Sequence, residues 1–184
     1  EAAATKPFGF QPFWPGIGPG GHCIPVDPYY LSWKAREFDF QTKFIELAAD
    51  TNLQMAPYTR QRIFEFLNRR GRMLRGARVL ALGASFKQGV GDVRNSRAVR
   101  VIELLEDAGA TVDIVDPHVD EVRVSGEVRD TVALEDVSFE DYDLVTVLVR
   151  STVWPVERVV ASGVLVFDAV NATGGVATGN VERL

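Results

Sequence analysis

The sequence predicts an α/β fold, in which a parallel sheet follows a long helix and a loop that holds the only cysteine. Short apolar runs in the second half are separated by helical patterns, which is typical of parallel strands covered on both faces. Apolar residues recur at three- and four-residue steps from Thr42 to about Arg70, which indicates a helix. Glycine and proline are frequent in residues 1–30 and favour an ordered loop there.

Two short helices are expected before the long one. Glu1–Thr5 is predicted to form a single helical turn. Residues 28–39 have the pattern of an amphipathic helix. Asp27 is its expected N-cap, and Pro28 is expected at the first helical position, where the missing amide hydrogen costs nothing.

The long helix contains Pro57, which is expected to kink or split it near Ala56, because proline cannot donate the helical hydrogen bond. Gly71 is expected to end this helix, with Arg69 and Arg70 in its last turn. Its apolar residues lie on more than one face, which indicates burial against a partner.

The second half is predicted to alternate strands with helices. The predicted strands are Arg78–Leu82, Thr111–Val115, Leu144–Val149 and Val164–Ala169, and the predicted helices are Ser96–Ala108 and Val153–Ser162. Residues 131–137 show only a weak helix or strand pattern.

The bulk composition is that of an ordinary globular chain of one domain, or one domain with an appendage. It has 184 residues, 46% of them hydrophobic and 24% charged, and a net charge of −5. The acidic balance does not indicate a nucleic-acid or membrane partner. No apolar run approaches the roughly 20 residues of a membrane span. A single cysteine allows no internal disulfide, which fits a reducing cytoplasm.

The loop after the first strand, residues 81–96, is a candidate anion site, because doubly wound sheets bind ligands at the carboxyl ends of their strands. Lys87 and Arg94 can meet anionic oxygens there. The glycine spacing matches neither the dinucleotide fingerprint nor the phosphate loop, so a surface loop with solvated charges is the other reading. Asp168 and Asn171, in the stretch 167–171 that ends the last predicted strand, either bind a sugar or base or cap a turn.

The lone cysteine, Cys23, lies among glycines and prolines, with His22 beside it and Asp27 four residues later. A free cysteine is usually a small buried hydrophobe, but with suitable neighbours it is a nucleophile. His22 is not assumed to be its base, because adjacent side chains often point apart.

Two segments resemble one enzyme family. Residues 13–37, FWPGIGPGGHCIPVDPYYLSWKARE, closely resemble the active-site segment of nucleotide-sugar 6-dehydrogenases, the UDP-glucose/GDP-mannose dehydrogenase family. The pattern is nearest to the UDP-N-acetylglucosamine/UDP-N-acetylmannosamine 6-dehydrogenase branch. Residues 83–96, GASFKQGVGDVRNS, resemble the family's second signature. The resemblance covers essentially all 184 residues.

The resemblance implies a Rossmann-like UDP-binding domain at 73–184. Residues 1–72 would then hold a catalytic-cysteine loop and a central helix that makes a homodimer. The implied cofactor is NAD, bound mainly by an N-terminal domain. The chain starts at Glu1 and shows no G-x-G-x-x-G, so we expect it to be the C-terminal part of a longer cytoplasmic dehydrogenase. A UDP-sugar is the expected ligand, and no metal, nucleic acid or membrane partner is expected.

In the family, the C6 alcohol of the sugar is oxidised twice, through a cysteine thiohemiacetal and a thioester, with two NAD per turnover. Carried over by motif, Cys23 is the nucleophile, Asp27 positions or activates water, and Arg94 reaches the NAD phosphates. The implied substrate contacts are Lys6, Phe13, Trp14, Gly20, Phe86 and Lys87.

Three residues depart from the family pattern. Ile17 and Pro19 alter the glycine-rich segment, and Pro19 removes a backbone amide beside the substrate loop. Val170 stands where the family has an arginine, which implies the loss of one nucleotide contact. Two alternative functions follow: a UDP-glucose or GDP-mannose 6-dehydrogenase, and a non-catalytic dimerising module that binds nucleotide sugars.

Overall fold

The computed structural model describes residues 2–176 and 178–184. Its strands are β1 (Arg78–Leu82), β2 (Thr111–Val115), β3 (Glu121–Val124), β4 (Glu127–Asp130), β5 (Leu144–Val147), β6 (Leu165–Asp168) and β7 (Val181–Arg183). Five of them form one parallel sheet in the order β2-β1-β5-β6-β7. The predicted α/β fold with a parallel sheet is confirmed.

The α-helices are α1 (Asp27–Arg36), α2 (Lys43–Arg69), α3 (Arg97–Asp107) and α4 (Val156–Ala161). The helix predicted at the start of the chain is a 3₁₀ turn at Ala2–Thr5, and Glu1 lies outside the described residues. The weak pattern at 131–137 contains a 3₁₀ turn at Leu134–Asp136. Of the helices that the structure describes, none is both long enough and apolar enough to cross a membrane.

Helix α1 begins one residue earlier than expected, so the prediction that Asp27 is its N-cap is wrong. Asp27 is the first helical residue, Val26 takes the cap position, and no side chain caps the helix there. The carbonyl of Cys23 instead accepts hydrogen bonds from the amides of Val26 and Asp27, at 3.0 and 2.8 Å. The cysteine segment therefore winds directly into the helix. Pro28 is still harmless in the first turn, where amides lack helical partners.

Helix α2 runs through Pro57 as one helix, so the predicted split does not occur. Around the proline, Ala56, Thr59, Ile63 and Phe66 have no solvent exposure. An interior proline costs a helix about 3 kcal/mol, whereas burying a large apolar side chain contributes about 1.5–3 kcal/mol. Packing of this half of α2 on the sheet therefore offsets the lost hydrogen bond.

The sheet has a buried cluster on each face. Val79 and Phe167 pack with α2 and α3 in one cluster, and Leu80 and Val145 belong to the other. Neighbouring strand residues fall into different clusters because their side chains point to opposite faces. Ile17 joins the first cluster, so the glycine-rich segment is anchored in the core of the sheet. The domain division at residue 72 stays a prediction.

A hairpin, an edge strand and a 3₁₀ turn at Phe139–Asp141 were not predicted from the sequence. Strands β3 and β4 form an antiparallel hairpin. Its turn residues, Ser125 and Gly126, have φ of 51° and 90°, as a two-residue hairpin turn requires. The alternation of Val122 and Val124 with charged residues was a readable signal for β3. Strand β7 is only three residues long and shows no readable period.

The chain order reverses in the middle of the sheet. Strand β1 leads to β2 on one side, whereas β5 lies against the other side of β1, and β6 and β7 follow outward. The crevice between the carboxyl ends of β1 and β5 is therefore the topological switch point, where open α/β sheets bind their ligands.

Candidate active site

A cleft of about 590 Å³ opens at this switch point. One wall is the exit of β1, with Phe86 and Lys87, and a second is the exit of β5, up to Arg150. The N-terminal loop adds Phe13 and Trp14, and α2 contributes part of the lining. Its size is that of a small-molecule site, which typically measures roughly 300–1,000 Å³.

The cleft is basic although the chain is acidic overall. Its lining includes Lys87, Arg97 and Arg150 but no described Asp or Glu, whereas the chain as a whole carries a net charge of −5. Within the described part of the chain, none of these three cations pairs with a carboxylate. The sequence analysis missed Arg97 and Arg150, because only the tertiary structure brings the start of α3 and the end of β5 together.

The loop after β1 is held by its own chain. The carboxylate of Asp116, at the end of β2, accepts hydrogen bonds from the amides of Ala84 and Ser85, at 2.8 and 3.0 Å. The amide of Gly83 donates to the carbonyl of Val115, and the amide of Phe86 donates to the carbonyl of Asp92. The four amides after the strand are therefore already bonded. The loop offers side chains to the cleft, and these amides have no free hydrogen for an anion.

The two motifs read from the sequence meet in space. The amide of Gly21 donates to the carbonyl of Arg94 at 2.9 Å, and Nδ2 of Asn95 returns a 2.9 Å hydrogen bond to the carbonyl of Gly21. A Cβ on Gly20 would lie 2.8 Å from both the carbonyl oxygen of Asn95 and the Cβ of Phe86. Glycine at position 20 is therefore needed for this close approach, which seats the cysteine segment beside the cleft.

Cys23 is exposed, so the reading of a buried hydrophobe is wrong. Its Sγ lies 2.9 Å from Nδ1 of His22, and these adjacent side chains meet rather than point apart. The amide of Asp27 donates a hydrogen bond to the carbonyl of Cys23, so the backbone makes one turn between these residues. Cys23 itself does not line the cleft, but the next residue, Ile24, does.

Arg94 is paired with a carboxylate that the sequence analysis did not single out. Its Nε lies 3.0 Å from both carboxylate oxygens of Asp92, and its Nη2 lies 2.6 Å from Oδ2. These hydrogen bonds from Arg94 lower the pKa of the Asp92 carboxyl to about 2. The hydrogen bonds to Asp92 and the charge of that carboxylate raise the pKa of Arg94. This ion pair lies next to the cysteine segment.

Two predicted substrate contacts, Lys6 and Gly20, are not part of the cleft lining. Nζ of Lys6 lies 5.8 Å from the ring centre of Phe8, in the exposed first residues of the chain. Gly20 packs against Phe86, which does line the cleft. Both assignments remain predictions.

Of the two roles considered for Asp168, ligand binding and capping of a turn, the structure shows the second. It is buried, and its carboxylate accepts hydrogen bonds from the turn that follows β6, at the amides of Val170, Ala172 and Thr173. Asn171 lies in that turn with φ of 54°, a conformation that asparagine tolerates better than most residues.

The three departures from the family pattern all lie at the cleft. Ile17 is 7% exposed and anchors the loop in the core. The carbonyl of Pro19 accepts a hydrogen bond of 3.3 Å from Nε of Arg97. Val170 contributes an apolar side chain at the end of β6, where no donor is then available from that residue.

A doubly wound α/β sheet with an aromatic and basic cleft at its switch point defines a ligand-binding protein of the nucleotide-binding type. Comparison with known proteins gives the family. Residues 80–174 match the UDP-binding domain of the UDP-glucose/GDP-mannose dehydrogenase family, and residues 1–54 match its central domain. The chain belongs to this family.

Similar proteins carry related names. The chain is 35% identical over 147 residues to UDP-N-acetyl-D-glucosamine 6-dehydrogenase of Salmonella typhi, covering 80% of this chain and 34% of that protein. It is 38% identical over 119 residues to the enzyme of that name in Pseudomonas aeruginosa, covering 65% and 28%. The structure of a UDP-D-ManNAc dehydrogenase from Pyrococcus horikoshii superposes with a TM-score of 0.82 at 27% identity, covering 99% and 42%. The chain thus spans about a third of the length of these curated relatives.

Proposed function

We propose that this chain is the C-terminal portion of a nucleotide-sugar 6-dehydrogenase that oxidises the C6 alcohol of a UDP-N-acetyl-hexosamine to the uronic acid. The observation that carries the proposal is the join between the cysteine segment and the cleft, made by Gly20 and Gly21 against Phe86 and residues 94–95. This join supports an arrangement in which a nucleotide in the cleft presents its sugar toward Cys23.

Cys23 is the proposed nucleophile. Its Sγ attacks the carbon of the aldehyde formed by the first oxidation, and the carbonyl oxygen takes up a proton to give a thiohemiacetal. Nδ1 of His22, 2.9 Å from Sγ, is within reach of the thiol proton. After the second oxidation, water cleaves the thioester, which releases the acid and restores the thiol. The covalent bond keeps the aldehyde from escaping.

Asp27 is the residue proposed to position or activate that water. It lies one helical turn after Cys23, at the first position of α1. The hydrogen bond from the Asp27 amide to the Cys23 carbonyl keeps the two residues one backbone turn apart. A carboxylate accepts hydrogen bonds from water and orients it for attack.

Arg94 is the residue of this chain that we assign to the phosphates of NAD. Its side chain is 65% exposed, and the bonds to Asp92 use Nε and Nη2. Nη1 has no hydrogen-bond partner among the described residues, so the group fits a phosphate without leaving Asp92. When bound, NAD supplies the hydride acceptor for both oxidations of the C6 carbon.

The nucleotide sugar is proposed to occupy the cleft. Phe13 and Trp14 provide exposed aromatic surface for the base, and Phe86 and Lys87 face the ligand from the exit of β1. Gly20 supports this arrangement from behind Phe86. Lys6 is proposed to act on the substrate of a second subunit, since it lies outside this cleft.

A homodimer through α2 is part of the proposal. Phe44 and Leu47, one turn apart on α2, are 89% and 63% exposed, and Tyr58 continues the same stripe at 50%. This chain leaves that apolar stripe uncovered, and a second copy would bury it. A cytoplasmic location is proposed on the single cysteine, which suits a reducing compartment.

The test uses the complete protein that contains this chain, assayed with NAD and a set of nucleotide sugars. We expect UDP-N-acetyl-hexosamines to be oxidised with two NADH formed per acid, and Cys23→Ser to abolish acid formation. We expect the 184-residue chain by itself to reduce no NAD. If UDP-glucose or GDP-mannose is oxidised and UDP-N-acetyl-hexosamines are not, the proposed substrate is wrong. Binding of nucleotide sugars without any oxidation would favour a non-catalytic module.

A further inference from the structure

The cleft cannot use its first loop amides to hold an anion. In many α/β sheets the amides after the first strand cradle phosphate. Here the amides of Ala84 and Ser85 are bonded to Asp116, and that of Phe86 is bonded to the carbonyl of Asp92. A phosphate at this edge of the sheet therefore gains no hydrogen bond from these three amides, and Lys87, Arg97 and Arg150 are the cations of the lining that can meet it.

Arg150 is exposed and makes two hydrogen bonds to the backbone at this edge, against one for Arg97. Its Nη2 donates to the carbonyls of Val170 and Asn171, both at 3.0 Å, so the guanidinium bridges the ends of β5 and β6. Nε and Nη1 have no hydrogen-bond partner among the described residues, and no described carboxylate pairs with Arg150. A guanidinium fixed in this way loses little freedom on binding and keeps donors for an anionic oxygen.

Val170 leaves the end of β6 without a cation, so Arg150 is the nearest source of positive charge in the lining there. The valine side chain lines the cleft at the end of β6 but offers no donor, and its carbonyl accepts from Arg150 instead. Positive charge at this end of the cleft therefore comes from the neighbouring strand. Lys87 and Arg97 supply the other two charges of the lining.

We propose that Arg150 binds the diphosphate of the ligand and makes the cleft selective for a nucleoside diphosphate over the nucleoside alone. The identity of that ligand as a UDP-sugar rests on the proposed function. Three observations support the contact of Arg150 with phosphate. Arg150 lines the cleft, the first loop amides already have partners, and hydrogen bonds to the end of β6 hold the guanidinium in place.

The test measures binding to the purified 184-residue chain by calorimetry, with UDP, uridine and inorganic pyrophosphate as probes. Arg150→Gln is expected to weaken UDP and pyrophosphate about 10- to 100-fold, the loss typical of a hydrogen bond to a charged group. Uridine binding is expected to change less than about twofold. Arg150→Lys keeps the charge but not the fork, so its loss is expected to be intermediate.

Arg123→Gln is the matched control, because Arg123 is exposed in the β3–β4 hairpin and does not line the cleft. It is expected to leave all three affinities unchanged. If Arg150→Gln keeps native affinity for UDP and pyrophosphate, the inference is wrong. An equal loss for uridine also overturns it, since Arg150 would then act on the nucleoside or on the shape of the cleft.

The two proposals fail in different ways. If pyrophosphate binding depends on Arg150 but UDP binds no better than pyrophosphate, the inference stands and the proposed uridine nucleotide is wrong. If the native chain binds none of the three probes, both proposals are overturned for this chain. Circular dichroism of each variant checks that the fold is kept.

Discussion

Trp14 and Trp33 are equally exposed, at 64% each, but only Trp14 lines the cleft. An exposed aromatic ring beside basic side chains is a stacking surface for a base, whereas the same ring elsewhere has no such partner. At the residue scale, the chemistry of the site therefore depends on where a side chain lies in the fold and not on its type or exposure.

The first prediction uses this pair of tryptophans. Trp14→Ala is expected to weaken UDP binding by about 1–3 kcal/mol, roughly 5- to 100-fold, because base stacking contributes that much. Calorimetric titration of the chain with UDP measures the change. Trp33→Ala is the control and is expected to bind UDP within about twofold of the native chain. Equal losses for the two variants would contradict a stacking role for Trp14.

The second prediction concerns stability at alkaline pH. Burial raises the pKa of Tyr142 to about 12, and its hydrogen bond to Asp113, 2.9 Å long, and the charge of that carboxylate add to the effect. The unfolded phenol titrates near 10, so the stabilisation is complete below pH 10 and is lost as the pH rises toward 12. Urea unfolding of the native chain and of Tyr142→Phe measures the effect. The free energy of unfolding of Tyr142→Phe is expected to fall less than that of the native chain as the pH rises from 10 toward 12. An equal fall in the two proteins would contradict the prediction.

At the element scale, the site is assembled from the ends of secondary structure. The exits of β1 and β5, the loop before α1 and the start of α3 all meet at one edge of the sheet. The contacts of Gly20 and Gly21 with the segment from Phe86 to Asn95 join the two signature motifs. A side chain at position 20 would push the cysteine segment away from the segment from Phe86 to Asn95.

The third prediction tests this join. Gly20→Ala is expected to destabilise the chain by about 1–3 kcal/mol, because its Cβ would overlap the carbonyl of Asn95 and the Cβ of Phe86 at 2.8 Å. Gly179→Ala is the control, since nothing lies within 4 Å of its Cβ. Thermal unfolding compares the two variants. A Gly20→Ala chain as stable as the control would show that the two segments separate without cost.

The fourth prediction concerns β7, the short edge strand. Its Glu182 is 19% exposed and accepts hydrogen bonds from Arg62 at 3.0 Å and from Arg69 at 2.6 Å, which tie β7 to α2. Glu182→Gln is expected to lower the free energy of unfolding by about 1–2 kcal/mol, because it weakens hydrogen bonds between charged groups. Glu127→Gln, on the exposed strand β4, is expected to change it by less than about 0.5 kcal/mol. Urea titration measures both.

At the scale of the whole molecule, the two halves of the chain differ in how they bury apolar surface. The sheet half buries its strands on both faces, whereas Phe8, Phe10, Phe38, Phe40 and Phe44 in the first half are all exposed. Soluble monomers rarely leave so much aromatic surface uncovered, which supports a further subunit or domain on this side.

The fifth prediction tests the dimer. The native chain is expected to have the mass of a dimer by light scattering, and Phe44→Asp combined with Leu47→Asp is expected to give a monomer, because the charges lie in the apolar stripe of α2. Met73→Asp is the control, since Met73 is 77% exposed but lies beyond α2. A native chain that stays monomeric at high concentration would refute the interface.

Much of the fold was readable from the sequence because its signals are local. The strands β1, β2, β5 and β6 are apolar runs, and the helix predicted from Ser96 to Ala108 is α3, with Ser96 as its N-cap. The unbroken helix at Pro57 was not readable, because packing of its buried face decides it. The hairpin β3–β4 was missed although the alternation in β3 was readable, and β7 was missed because its three residues show no period.

The sequence by itself determined the fold class, the family motifs and the candidate residues, because apolar periodicity and motif spacing are local properties of the chain. The tertiary structure alone decided which residues share the cleft. Lys87, Arg97 and Arg150 come from different elements, and the parallel strand order brings those elements to one edge of the sheet. At the same edge, the carboxylate of Asp116 accepts hydrogen bonds from the amides of Ala84 and Ser85. Side-chain cations therefore remain to bind the ligand.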